Sequence, residues 1–114
     1  CTVRIDGQMA RACLTLAVQA DGCRVDTVEG LAPEPGRLSV LQDAMRRHFA
    51  LQCGYCTPGI LMSLDTLLCD EPDADEARIR DVLGGHLCRC TGYQPIVDAA
   101  LDAAAILRKE SRDV

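Results

Sequence analysis

Four of the eight cysteines fall as two tight pairs, Cys53 with Cys56 and Cys88 with Cys90, and 31 residues separate one pair from the next. Eight cysteines in 114 residues is far above ordinary usage and leaves three choices, a disulfide framework, metal binding or catalytic thiols. Four thiolates delivered by two short loops suit tetrahedral zinc, or the two irons of a 2Fe-2S cluster with each pair serving one iron. Spacing alone leaves the iron cluster, structural zinc and disulfides open.

The position of the pairs relative to expected helices adds a physical preference. Cys53 and Cys56 immediately precede Thr57-Pro58, an N-cap followed by the residue best tolerated at a first helical position. Cys88 and Cys90 lead through "TGYQ" into a helix that begins near Pro95 and continues through "IVDAALDAAAILRKE". Both helix N-termini should therefore face the bound metal. A 2Fe-2S core with four thiolates carries about −2 when oxidised and about −3 when reduced, and backbone N–H groups at a helix start suit that charge. Gly54 and Gly92 would let the backbone approach the sulfurs, and the charge of Arg89 would favour the reduced state. A four-thiolate zinc site would accept the same donors.

The remainder of the chain divides by periodicity. Residues 1–30 alternate β-favouring residues with turn signals at Asp6-Gly7 and Asp21-Gly22, and read as short strands and turns. Residues 31–37, "LAPEPGR", concentrate Pro and Gly as a linker. Residues 38–114 take a helical period. Ser39 should cap a helix running to about Leu51, with Val40, Ala44 and Phe49 on its apolar side. The helix from Thr57-Pro58 should reach about Cys69, and Asp73 with Glu76 resembles a capping box for a third helix that stops at Gly84-Gly85. Aromatics are only 3% and Trp is absent, so the core must come from Leu, Ala, Val and Ile, or lean on a metal. A net charge of −5 without a basic stripe argues against nucleic acid, and no apolar run is long enough for a membrane span.

"QCGYCTPGILM" and "GGHLCRCTGYQPIVDA" closely resemble the two signature stretches of the iron-sulfur subunit or domain of molybdenum hydroxylases, the xanthine dehydrogenase, aldehyde oxidase and carbon monoxide dehydrogenase family. "CTVRIDG", "CLTLAVQADG" and "VDTVEGLA" resemble that family's text in the same order, so the similarity covers nearly the whole chain. The resemblance implies an α+β chain: the C-terminal part of a ferredoxin-like β-grasp segment in residues 1–30, then an all-α four-helix 2Fe-2S-binding domain in residues 38–114. It implies Cys53, Cys56, Cys88 and Cys90 as ligands of the helical-domain cluster. Gln52 and Cys90 match positions near the molybdopterin of a large partner subunit. Cys1 and Cys13, with the family's interval of eleven residues, resemble the third and fourth ligands of a plant-type 2Fe-2S cluster whose first two ligands should lie upstream of this sequence. His86 departs from the family, which usually has Asn there.

The implied function is one-electron relay from the molybdopterin centre through Cys90 and the 2Fe-2S clusters to FAD on a medium subunit, or to another acceptor. The chain would then be the non-catalytic electron-transfer subunit of an oxidoreductase, expected in the cytoplasm with the periplasm as the alternative. Two rivals remain at this point, a zinc-stabilised interaction domain and a free-standing ferredoxin or redox sensor. Cys23 and Cys69 read as packing residues, His48 as a surface or boundary residue, and Met9, Met45 and Met62 as packing. The Ala-rich stripe from Ala99 to Ala105 fits intrachain packing and a subunit interface equally well.

Overall fold

The computed structural model describes residues 1–113, and its chain begins in a tight hairpin. β1 (Thr2–Ile5) and β2 (Gln8–Arg11) are antiparallel with Ile5 opposite Gln8, which leaves Asp6 and Gly7 as a two-residue loop. Both loop residues have positive φ, +48° and +84°, as a type I′ turn requires. β3 (Val25–Asp26) pairs with the other edge of β1, giving the order β2-β1-β3. Between β2 and β3 the chain makes 3-10 turns at Ala12–Leu14 and Ala17–Ala20, and Leu14, Leu16 and Val18 stay exposed.

Among the described residues four α-helices follow: α1 (Val40–Arg47), α2 (Thr57–Asp70), α3 (Glu76–Leu83) and α4 (Gln94–Arg112). Ser39 caps α1 as expected, its hydroxyl accepting from Gln42 N while Gln42 Oε1 accepts from Ser39 N. The helix stops four residues short of Leu51. Phe49 turns left-handed at φ +51°, Ala50 N–H reaches Met45 O, and Phe49 N–H reaches Arg46 O, the pattern of a Schellman end. Phe49 is consequently swung out of the apolar face and is exposed. α3 is capped by Asp75, whose carboxylate accepts from Arg78 N at 2.8 Å, and not by Asp73. Glu76 is the first residue of that helix, so its side chain cannot occupy the third position that a capping box needs.

α2 is the central helix, with Ile60, Leu61, Met62, Leu64, Leu67 and Leu68 buried round most of its circumference. α4 packs along α1, where Ala99, Ala100, Ala103 and Ala104 are buried against residues that include Leu41, Ala44 and Met45. Those alanines are therefore core, and Ala105 alone of the stripe's end is exposed. An ionic clamp closes the same seam, with Asp43 held by Arg46 and Arg47, and Asp102 accepting from Arg47 and paired with His48. The sheet is fastened to α2 by Arg4, which donates to Asp65 at 2.8 Å and to Asp26 on β3. Leu31, at the head of the Pro- and Gly-rich stretch, packs against the helical core with Val28. Among the described residues no helix is long and apolar enough to cross a membrane.

Candidate metal centre

The two cysteine loops owe their shape to residues that accept left-handed backbone. Gly54 has φ +79° and Gly92 φ +67°, conformations that favour glycine. Each lies just ahead of a helix, α2 from Thr57 and α4 from Gln94. Cys56, not Thr57, occupies the cap position of α2, and Pro58 lies in its first turn. Tyr93, itself left-handed at φ +70°, occupies the cap position of α4.

The loops meet. Gln52 Nε2 donates to Cys90 O at 3.1 Å, which ties the segment before Cys53 to the second pair. The side chains of Cys56 and Cys88 lie near enough across the gap to influence each other's ionisation. Burial first, and then Cys88 beside it, push the Cys56 thiol up to about 11. Cys88 moves the other way, to about 7, chiefly because the Thr91 hydroxyl hydrogen-bonds its sulfur at 3.1 Å, with backbone N–H groups of Thr91 and Cys90 assisting. Thr91 and the backbone N–H groups thus favour the charged form of the Cys88 sulfur, the form in which a thiol binds a metal. The Thr57 hydroxyl adds a buried donor beside Cys56 that has no oxygen or nitrogen partner. Cys53 and Cys90 are exposed, and so are Tyr55 between the first pair, Leu87 before the second and Phe49 ahead of the first loop.

Four thiols carried by two loops that meet suit the two irons of a 2Fe-2S cluster. Among the described residues no group of three or more Cys, His, Asp or Glu side chains is already placed as the ligands of a single ion. Two irons spread four thiolates over two centres. All eight cysteines are free thiols, so the disulfide alternative is not realised.

The pattern of the family described as 2Fe-2S binding domain matches residues 27–101, well over half of the chain. The chain belongs to the 2Fe-2S binding domain family. With its relatives, it falls among the iron-sulfur subunits and domains of the molybdenum hydroxylases. It is 53% identical over 103 residues to the nicotine 6-hydroxylase small subunit of Paenarthrobacter nicotinovorans, covering 90% of this chain and 61% of that protein. Identity is 50% over 102 residues with caffeine dehydrogenase subunit gamma of Pseudomonas sp. (strain CBB1), covering 87% and 60%. The solved quinoline 2-oxidoreductase from Pseudomonas putida 86 superposes with a TM-score of 0.88 at 49% identity, over 96% of this chain and 68% of that one. This 2Fe-2S domain chain thus spans about three fifths of the length of the curated relatives it matches.

Cys1 and Cys13 stand together at one end of the hairpin, both exposed, with Ala12 N–H donating to Cys1 O at 2.8 Å. Cys23 bonds within its own turn and lies beside Asp6, which raises its thiol, and Cys69 is a thiol on α2 raised first by burial and then by Asp65. Several residues around the centre escaped the sequence reading. Tyr93 Oη accepts from Cys88 N and donates to His86 O, both at 2.8 Å, and so clasps the base of the second loop. His86 pairs with Ser63 of α2, and burial, then Arg11, lower its pKa. A tyrosine three residues beyond a Cys-x-Cys pair was visible in the sequence; the Ser63 and Arg11 contacts are long-range and left no local signal.

Proposed function

We propose that this chain is the electron-relaying iron-sulfur part of a molybdenum-containing hydroxylase or dehydrogenase. Electrons would arrive from a molybdopterin centre on a large partner subunit and leave for FAD on a medium subunit or for another acceptor. The observation that carries this reading is the meeting of two cysteine loops at two helix starts, with backbone and hydroxyl donors turned toward sulfur. Cys53, Cys56, Cys88 and Cys90 are the ligands, delivered by two loops that meet where Gln52 holds the carbonyl of Cys90. Such a cluster supplies one-electron carriage without bond chemistry. The work of the protein is to hold four sulfurs in place and to offset the added negative charge, by Thr91, by the N–H groups of Cys90 and Thr91, and by the nearby positive charge of Arg89.

The reading extends to the rest of the chain. Residues 1–30 are the closing part of a β-grasp segment in which Cys1 and Cys13 bind a plant-type cluster, residues 31–37 are a linker, and residues 38–114 are the helical domain. Gln52 and Cys90 face the molybdopterin, and Gln52 keeps the carbonyl of Cys90 fixed meanwhile. The exposure of Phe49, Tyr55 and Leu87 supports a partner covering the cysteine loops. The cytoplasm is the compartment expected. Isolation of the intact complex tests the whole: iron with acid-labile sulfide should co-purify with molybdenum and flavin on separate chains. A monomer free of molybdenum would overturn the assignment.

A further inference from the structure

A small polar junction lies between the hairpin and the second cysteine loop. Gly59 is in the first turn of α2, and a Cβ there would stand 3.1 Å from Thr2 Oγ1 and 3.3 Å from Cε1 and Nδ1 of His86. The missing side chain leaves a notch that receives one group from each side, Thr2 from β1 and His86 from the loop leading to Cys88. Thr2 is buried, and the His86 ring continues to Ser63, one turn further along α2. Arg11 at the end of β2 closes the junction, donating through Nη1 to Thr2 Oγ1 and through Nη2 to Gly85 O at 2.8 Å. The planar guanidinium presents two fixed donors to two separate acceptors, which an ammonium cannot reproduce in one geometry. Thr2 follows Cys1, Arg11 precedes Cys13 by two residues, and His86 precedes Cys88 by two.

We propose that Arg11 is a positioning residue that locks the hairpin bearing Cys1 and Cys13 to the loop bearing Cys88 and Cys90, and thereby fixes the separation of the two clusters. The inference rests on the reading in which both cysteine sets hold clusters. Electron tunnelling falls exponentially with distance, so a hairpin free to rock on α2 would spread the transfer rate as well as the geometry. Arg4 fastens the far end of the same sheet to Asp65. Arg11 is the fastening at the end where Cys1 and Cys13 lie.

The test uses the assembled, cluster-loaded protein and reads the dipolar coupling between the two reduced clusters by EPR, together with the inter-cluster transfer rate. Arg11→Met should keep full iron content but broaden the distance distribution and slow transfer several-fold. Arg11→Lys, which keeps the charge, should recover only part of both. Arg24→Met, the loss of an exposed arginine that pairs with Asp26, should leave both unchanged. If Arg11→Met fails to load, Thr2→Val removes one of the two acceptors at nearly constant volume and should broaden the distribution in the same way. A full iron complement with wild-type coupling and rate in Arg11→Met or Thr2→Val overturns the role of Arg11 alone. A wild-type protein holding a single cluster instead overturns the reading of Cys1 and Cys13, and the proposal with it.

Discussion

Gly92 and Tyr93 are consecutive left-handed residues, and together they turn the chain from Cys90 into α4. Alanine at Gly92 meets nothing within 4 Å, so its penalty is conformational, about 1 kcal/mol. Gly92→Ala should therefore fold, yet load less iron at limiting supply than the wild type, which iron and sulfide assays will show. Tyr93→Phe removes a hydroxyl that serves both Cys88 N–H and His86 O. The expected loss is about 1–3 kcal/mol in chemical denaturation, because two polar backbone groups lose their partner. Arg89→Ala should lower the reduction potential of the cluster, since one positive charge near an increasingly negative centre is removed. An unchanged potential would mean that the guanidinium points away into water. At this scale the two cysteine pairs and the two left-handed glycines could be read from the sequence, because their types and spacing are local. The hydroxyl of Tyr93 was not legible: its partners depend on how the loop closes over itself.

The helices show where local signals suffice and where they mislead. Ser39 with Gln42 could be read directly, since a cap and its reciprocal partner are three residues apart. Asp73 and Asp75 offer the same capping chemistry two residues apart, and only the entry angle of the chain makes Asp75 the cap. Asp75→Ala should cost about 1 kcal/mol by thermal or chemical denaturation, whereas Asp73→Ala should be nearly silent. The α1–α4 seam makes a pH prediction. Asp43 is lowered by Arg46 and Arg47, and Asp102 by His48 and then Arg47. Folded values below the unfolded ones mean that this clamp stabilises above the ordinary carboxylate range and is lost as the pH falls through the lowered values. Asp102→Asn should accordingly lose less melting temperature on acidification than the wild type. The effect should be small, because both carboxylates are partly in water and screened.

On the scale of the molecule, the division into a small sheet and a four-helix unit followed from periodicity, and the alanine stripe of α4 turned out to be core against α1. What pattern alone could not supply was how the two units are joined. Arg4 to Asp65 and Arg11 to Gly85 bridge residues more than sixty positions apart, and no local spacing encodes them. The same holds for the approach of Cys56 to Cys88 across the two loops. The measurement that bears most directly on the account is iron and acid-labile sulfide content, with an EPR spectrum before and after dithionite, for the protein and its Cys90→Ser variant. Equal iron and sulfide, a signal that appears on one-electron reduction, and loss of that helical-domain cluster in Cys90→Ser are the expected results. A colourless protein holding one zinc and no labile sulfide would contradict it.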